Sequence, residues 1–378
     1  MEPFKSAISP DLIRLTGHVL ARHMPGVDPA GFAAPLIPRL DTLELKQRVG
    51  LVAEALHAAL PDDPDRRRAA LLAMLHPDDL DRWNADSTTD GLCGWGIWPL
   101  TTLVGRHGLG STAQALETLR EMTKRGTAEL DVRPFIAATP DRALPVIRAW
   151  VSDPNPHVRR LVSEGTRPRL PWGMRLHGLV ADPTPMLPAL TRLRDDPSDY
   201  VRRSVANHLN DIARDHPDLV ADIARTWLRD AGADRRRLLR HACRTLIKQG
   251  HTAALSAFGF DPPQIGKPAI SLATPVVRFG ETLEFEVTIR ATGRASQTLA
   301  LDYVIHHQKA DGTLSPKVFK WTTFTLDPGD ARHLSRRHAL RPITTRRYHA
   351  GPHALSLRIN GTDHGYEMFE LVMTQDKA

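Results

Sequence analysis

The sequence of 378 residues predicts an all-α solenoid of HEAT-like repeats over residues 1–260, followed by an all-β Ig-like sandwich over residues 268–378. Three observations carry this prediction. Apolar residues recur with a helical period in the first part, one eight-residue pattern returns there after 43 residues, and the apolar period becomes two beyond about residue 260.

Helical periodicity is clearest in two segments of the first part. From Leu43 to Leu60, apolar residues recur every three to four positions with charged residues between them. Farther along, Thr139 followed by Pro140 is typical of a helix start, and an apolar stripe then runs to Trp150. Both segments predict helices that bury one face.

The repeat lies in the centre of the chain. DPNPHVRR at 153–160 and DPSDYVRR at 196–203 share the pattern D-P-x-x-x-V-R-R, and their offset of 43 residues fits HEAT and armadillo repeats. An apolar helix precedes each copy, an arginine-rich helix follows it, and a third pair is expected in 217–248. Because one such pair cannot bury its apolar face alone, the pairs are expected to stack into a solenoid with a concave surface.

A linker, FDPPQIGKP at 260–268, separates the two patterns. Apolar residues then alternate with polar ones in 283–289 and 355–359, and turn signals stand at 311–312, 327–330 and 360–361. Several short strands in about 110 residues predict an Ig-like antiparallel sandwich. The cysteine pair of immunoglobulin domains is absent, so this prediction depends on spacing alone.

Composition limits the function classes. Lys and Arg (50) exceed Asp and Glu (43), which favours a polyanionic partner, although the excess can also serve only solubility. Cys93 and Cys243 are too few and too far apart for a disulfide framework or a cysteine zinc site. Neither a membrane-length apolar run nor a secretion signal is visible, so a cytoplasmic protein is expected. Without HExxH or a phosphate-loop motif, we expect neither a metal nor a cofactor.

The arginine pairs of the repeat are candidates for binding phosphates. Arg159 and Arg160 in one copy, and Arg202 and Arg203 in the next, are expected at matching heights on neighbouring helices. Alternatively, these arginines pair with nearby aspartates and brace the turns. Further arginines in the same region, Arg167, Arg169 and Arg175, favour an anion-binding face.

Two carboxylates and one aromatic residue are candidates for chemistry. Glu164 lies among arginines in SEGTRPRLPW, Trp172 closes that segment, and Glu129 lies near the end of the preceding repeat. Beside a basic groove, such a set suits the stabilisation of a cationic sugar or base. A plainer interpretation stays open, in which Glu164 only pairs with Arg160 at i,i+4 and Trp172 belongs to the core.

The same segments resemble a known family. The resemblance rests on EPFKSAISPDLIRL (2–15), LELKQRVGLVAEAL (43–56), GWGIWPL (94–100), RPF (133–135), HVRRLVSEGTRPRLPW (157–172) and DYVRRSVANHLNDIARDHPD (199–218). These segments look like the AlkC branch of the AlkC/AlkD HEAT-like-repeat DNA alkylation repair glycosylases, and SEGTRPRLPW is quite specific to that branch. The resemblance spans most of residues 1–250, and some AlkC members carry an Ig-like C-terminal domain.

The resemblance implies a monofunctional glycosylase for base excision repair. Such an enzyme hydrolyses the N-glycosidic bond of cationic N-alkylated bases, 3-methyladenine and 3-methylcytosine, in duplex DNA, and leaves the base largely stacked. Its partner is double-stranded DNA containing alkylated bases, and a monomer is expected. Two alternatives are a non-catalytic HEAT-repeat protein that binds or senses damaged DNA and a protein-interaction scaffold.

The resemblance also implies roles for individual residues. Glu164 and Glu129 become the catalytic carboxylates, Trp172 contacts the lesion by cation–π attraction, and Arg160 holds the DNA backbone or orients Glu164. Around Glu129 the family usually has aromatic residues, whereas this chain has RGTAEL at 125–130. The arginines expected to contact DNA are Arg159, Arg167, Arg169, Arg202 and Arg203 in the helical part, and Arg332, Arg336, Arg337, Arg341, Arg346 and Arg347 in the Ig-like part.

Overall fold

The computed structural model describes residues 4–78, 85–343 and 346–373. Contacts between the residues group the chain into two compact units. Unit 1 comprises Met1–Asp215 and Gly232–Ala242, and unit 2 comprises His216–Ala231 and Cys243–Ala378. Segments of the chain therefore alternate between the units, and the domain boundaries at 260 and 268 stay a prediction.

Among the described residues, α-helices fill the chain up to residue 257 and named strands begin at residue 269. This confirms the change from a helical to a strand period. The α-helices are α1 Pro10–His23, α2 Pro29–Ala33, α3 Leu45–Ala59, α4 Pro64–Ala73, α5 Ile97–His107, α6 Thr112–Thr123, α7 Arg133–Ala138, α8 Pro140–Ala149, α9 Pro156–Glu164, α10 His177–Ala181, α11 Leu187–Leu193, α12 Asp199–Ile212, α13 Pro217–Leu228, α14 Ala233–Ala242, α15 Arg244–Gln249 and α16 Thr252–Ala257. No helix in these ranges combines the length and apolarity needed to span a membrane.

The repeated pattern has a local structural cause. In both copies the aspartate, Asp153 or Asp196, accepts a hydrogen bond from the N–H two residues later at 2.9 Å. The first arginine of each pair, Arg159 or Arg202, donates Nη1 to the backbone carbonyls of that aspartate and of the following proline. The shared residues thus build the same turn twice, and a second helix begins directly after each turn.

The helices of unit 1 pack through these second helices. α9 contacts α12, and α12 contacts α14. On α9, the apolar residues Val158, Leu161 and Val162 are buried. Arg159 also reaches the next turn, where it holds both carboxylate oxygens of Asp196 at 2.6 and 3.0 Å. The HEAT-like classification of these pairs stays a prediction.

The strands of unit 2 form a two-sheet sandwich. One sheet has the order β1-β3-β6 and the other the order β2-β8-β7-β4-β5. Alternate residues of β3 enclose the apolar core, and β7 is buried on both faces of its central part. The strand bounds are β1 Ala269–Leu272, β2 Val276–Arg278, β3 Thr282–Arg290, β4 Gln297–Gln308, β5 Leu314–Leu326, β6 Ala331–Ala339, β7 Gly351–Ile359 and β8 Thr362–Val372.

All three turn signals of the second part fall between strands. The Asn-Gly turn joins β7 to β8 with φ of 46° at Asn360 and 83° at Gly361, the left-handed geometry of a tight hairpin. The Asn360 side chain also accepts from the Ala300 N–H at 2.7 Å and donates to the Thr298 carbonyl at 3.0 Å. The asparagine therefore both makes the turn and ties it to β4.

Two buried histidines, one in each unit, predict acid sensitivity. Burial lowers the pKa of His208 and of His338 from 6.5 to about 4. In the unfolded chain each histidine takes up a proton near pH 6.5, whereas in the folded chain it stays neutral until about pH 4. The free energy of unfolding is therefore unaffected above pH 6.5 and decreases as the pH falls toward 4. Each loss amounts to about 3 kcal/mol. We expect the urea concentration at the midpoint of unfolding to decrease as the pH is lowered from 6.5 to 4.

Variants at single histidines check this expectation. His208→Gln should flatten the fall of the urea midpoint between pH 6.5 and 4, since it removes one titrating group. His18→Gln is the control, because His18 is exposed on α1 and should leave the slope unchanged. An identical pH dependence of the wild type and His208→Gln would contradict the prediction.

Candidate active site

The site is built on the end of α9 and the loop that follows it. Asn155 caps the helix by accepting from the His157 N–H, and Glu164 is the last helical residue. A Cβ at Gly165 would lie 2.7 Å from a methyl carbon of Val132 and 2.9 Å from the Leu161 carbonyl oxygen. Only glycine fits this close approach, so the end of α9 packs directly against Val132.

Five charged side chains form a continuous row around Glu164. Arg160 donates Nη1 to Glu129 at 2.7 Å and has Nη2 3.7 Å from Glu164. Arg167 donates to Glu164 at 2.7 Å and holds both oxygens of Asp211 at 2.8 and 3.2 Å. The structure therefore brings together Glu129, Arg160 and Glu164, as expected from the sequence, and adds Arg167 and Asp211 to them.

Burial and charge act in opposite directions on Glu164. Its side chain is 7% exposed, and burial by itself would raise the pKa. The positive charges of Arg160 and Arg167 and the hydrogen bond from Ser204 outweigh burial, so the pKa of Glu164 lies below its usual 4.5. The carboxylate is therefore ionised at neutral pH and fixed in a site with little water.

A hydroxyl network orients the second oxygen of Glu164. Ser204 on α12 donates to Oε2 at 2.6 Å, and its Oγ lies 2.6 Å from Oγ of Ser163. His208, one turn farther along α12, has Nδ1 2.8 Å from the Ser163 carbonyl oxygen. Since Oε1 faces the arginines and Oε2 faces Ser204, both oxygens of Glu164 have fixed partners.

Arg133 holds the loop after α9 in place. Its guanidinium group is fully buried and donates to the carbonyls of Gly165 at 2.9 Å, Arg167 at 2.8 Å and Met174 at 2.8 Å. Burial lowers its pKa to about 10, so the group stays charged at neutral pH. One side chain from the RPF segment thus satisfies backbone acceptors at both ends of the loop.

Trp172 is presented to solvent by that loop. Its side chain is 59% exposed, so the interpretation that it belongs to the core is wrong. Its φ is 64°, a left-handed conformation that is unfavourable for a bulky residue. Lys46 of α3 donates to the Trp172 carbonyl, and the edge-on ring of Phe4 lies 6.2 Å from the indole ring. The surroundings hold the strained backbone and leave the indole open.

The two arginines of each repeat pair have different positions. Arg159 and Arg202, the first of each pair, are engaged in the turns, which is the bracing arrangement that the sequence left open. Of the second arginines, Arg160 points into the charged row, whereas Arg203 is 69% exposed and, among the described residues, pairs with a half-exposed Asp199. The sequence predicted that all four arginines would lie at matching heights on neighbouring helices, so the structure separates residues that the prediction grouped together.

The other predicted DNA contacts are also spread over different surroundings. Arg169 pairs with both oxygens of Asp215 at 2.7 and 2.8 Å, while Arg175 is exposed. In unit 2, Arg332, Arg336 and Arg337 lie on the exposed part of β6, and Arg337 pairs with Glu284 at 2.8 Å. Arg341, Arg346 and Arg347 lie between β6 and β7. Their contacts with DNA stay a prediction.

Sequence reasoning missed several residues of this site. Asp211, Ser204 and Lys46 received no role, and Arg133 was noted only as part of a motif. One signal was available for Asp211, because its separation of 44 residues from Arg167 is close to the 43-residue repeat period. No spacing rule points to Lys46, which contacts a residue 126 positions away.

Comparisons with known proteins found a family model, a relative and a solved structure that are similar to this chain. The family model for the C-terminal Ig-like domain of the uncharacterised protein YhaZ matches residues 267–373, which confirms the predicted Ig-like domain. YhaZ of Bacillus subtilis (strain 168) is 37% identical over 259 residues, covering 68% of this chain and 72% of YhaZ. A solved structure of Pseudomonas fluorescens alkylpurine DNA glycosylase AlkC, bound to DNA containing an abasic site analog, is 34% identical. It matches with a TM-score of 0.77 and covers 98% of this chain and 99% of AlkC.

Proposed function

The chain belongs to the AlkC branch of the AlkC/AlkD family, and we propose that it is a monofunctional DNA glycosylase for base excision repair. Its substrates are duplex DNA sites with cationic N-alkylated bases, 3-methyladenine and 3-methylcytosine, which it attacks without deep base flipping. A single copy binds the duplex. The similarity to AlkC supports the reaction class, and the geometry around Glu164 supports the choice of substrate.

The observation that carries the proposal is the charge balance of the buried row. Three carboxylates, from Glu129, Glu164 and Asp211, face two guanidinium groups, from Arg160 and Arg167. These five side chains therefore sum to one negative charge in a region of low water content, while the nearby Arg133 directs its donors to loop carbonyls and not to these carboxylates. Such a site stabilises a positive charge that develops on the deoxyribose as the alkylated base departs. A neutral base would gain far less from it.

The two glutamates are suited to different tasks. Both oxygens of Glu164 are engaged by Arg167 and Ser204, so Glu164 supplies fixed negative charge beneath the sugar. Glu129 is more exposed, at 19%, and Arg160 contacts its Oε2. Its other oxygen is the better acceptor for a proton of the attacking water. Arg160 links the glutamates and fixes their separation, as an orienting residue.

Trp172 supplies the contact with the base. An exposed indole attracts a cationic methylated base through its ring face more strongly than it attracts the neutral base. The leaving group is already activated by its charge, so the protein needs to position the base, stabilise the sugar and admit one water. The strained backbone at Trp172 is consistent with a ring kept in place for contact with a ligand.

Base release tests the proposal directly. Methylated duplex DNA incubated with the protein should lose 3-methyladenine or 3-methylcytosine and gain abasic sites, without strand cleavage by the protein. Tight, salt-sensitive DNA binding with no base release would instead favour a non-catalytic DNA-binding protein. If the protein neither binds DNA nor releases base, both functions would be contradicted.

The different positions of Arg202 and Arg203 give a further prediction about DNA binding. Arg203→Gln should weaken binding of duplex DNA and lower the slope of log K against log salt concentration by about one. The reason is that the substitution removes the proposed contact of this exposed arginine with a phosphate. Arg202→Gln is the matched control. Since Arg202 donates to two carbonyls of the turn, its loss should lower the melting temperature and leave the slope nearly unchanged. Equal salt slopes for Arg203→Gln and the wild type would contradict the assignment.

A further inference from the structure

A separate concave site lies in unit 1 between α4, α5 and α6. Its cavity has a volume of about 180 Å³. The floor is apolar and consists of Leu71, Leu103, Val104 and Ala115. None of the residues that line this cavity belongs to the charged row around Glu164 or to the Trp172 loop. The proposed glycosylase reaction therefore leaves the cavity without a role.

Two arginines of α4 stand at the rim of the cavity. The Arg67 side chain is 17% exposed, and its Nε is buried without a hydrogen-bond partner among the described residues. Within the described ranges its ion pair is a 3.4 Å contact with a fully exposed Asp62, which compensates the guanidinium charge poorly. Arg68 donates Nε to Thr118 at 3.1 Å, and no carboxylate in the described ranges pairs with it. Two guanidinium groups thus border an apolar cavity with most of their donors available.

Two further groups lie at the cavity, a stacked histidine pair and the start of α6, and two carboxylates are close by, since Glu54 lies 3.4 Å from Nε2 of His107 and Asp65 accepts from Gln114 of the lining. His107 lines the cavity and stacks on His57, with ring centroids 3.7 Å apart and an interplanar angle of 5°. Burial, and then the nearby His107 and Arg67, lower the pKa of His57. The N-cap of α6, Ser111, also lines the cavity, and its side chain makes no capping hydrogen bond in the part of the chain described here. The positive end of α6 is therefore not capped by the Ser111 side chain.

We propose that this cavity binds a small organic anion that has an apolar body and one carboxylate or phosphate group. The body packs on Leu71, Leu103 and Val104, and the oxyanion accepts hydrogen bonds from Arg67 and Arg68. The guanidinium fork matches the two oxygens of such a group. An anion in this place also gives the buried Nε of Arg67 a hydrogen-bond acceptor.

Benzoate and phenyl phosphate are the probes, and benzamide is their uncharged counterpart. Titration of the full chain with benzoate, followed by NMR, should give saturable shifts of the ring protons of His57 and His107. The dissociation constant is expected on the order of 1 mM for so small a ligand. Benzamide should bind at least about tenfold more weakly, because it lacks the charge that the arginines recognise. Phenyl phosphate distinguishes a phosphate site from a carboxylate site.

Variants on one helix locate the binding. Arg67→Gln and Arg68→Gln should each weaken binding of the preferred anion by about tenfold. Arg66→Gln is the matched control, because Arg66 is an exposed arginine on the same helix that does not line the cavity. Thermal melting establishes that each variant is folded. Equal affinities for benzoate and benzamide, equal effects of Arg66→Gln and Arg67→Gln, or no saturable binding of either anion would overturn the proposal.

Discussion

Glu164→Gln is expected to reduce base release at least about a hundredfold while leaving affinity for DNA within about twofold of the wild type. Glutamine keeps the shape of the side chain and one carbonyl oxygen for Arg167 or Ser204, but it removes the negative charge. Single-turnover release of 3-methyladenine from duplex DNA measures the chemical step, and an equilibrium titration of the same duplex measures binding.

A second buried carboxylate provides the control. Asp196 is also buried and also pairs with an arginine, but it lies at the turn before α12 and outside the charged row. Asp196→Asn should lower stability and leave the rate of base release in the folded protein close to that of the wild type. If Glu164→Gln released base as fast as the wild type, the fixed-charge role of Glu164 would be withdrawn.

Arg133→Met is expected to lower the free energy of unfolding by about 4 kcal/mol, and the melting temperature by roughly 10 °C. The substitution leaves the buried carbonyls of Gly165 and Arg167, and the part-buried carbonyl of Met174, without their donor. Arg133→Lys should recover little, because a single ammonium group cannot reach three separated carbonyls as the planar guanidinium does. Urea and thermal unfolding measure both effects.

Arg175→Met is the control for this loss, since Arg175 is exposed in the same loop region. It should stay within about 0.5 kcal/mol of the wild type. Arg133→Met should also impair base release, because the loop that presents Trp172 loses its anchor. A stable Arg133→Met protein would show that the loop is held mainly by other contacts.

The local structure was readable from the sequence because its causes are local. Prolines and capping residues mark the starts of α8 and α9, and alternation of apolar residues marks β3. The Asn-Gly pair marks the turn between β7 and β8. Each of these signals acts within a few residues, so it can be recognised without knowledge of the tertiary contacts.

The site was only partly readable, for a physical reason. The i,i+4 spacing correctly predicted that Arg160 and Glu164 share one side of α9. It could not distinguish Arg159 from Arg160, because neighbours on a helix point about 100° apart and only distant partners decide which one meets a carboxylate. Asp196 takes the first of these arginines, and Glu129 takes the second. Asp196 lies 37 residues from Arg159 and Glu129 lies 31 residues from Arg160, so the sequence of α9 alone does not show which arginine meets which carboxylate.

The left-handed backbone at Trp172 affects how the protein can change under selection. An L-residue held there costs of order 1–3 kcal/mol, which glycine would avoid. A mutant library screened for heat resistance would therefore favour Trp172→Gly, whereas a library screened for survival under alkylating agents would retain the indole. Stability therefore favours glycine at position 172, whereas the proposed contact with the base favours the tryptophan that is present.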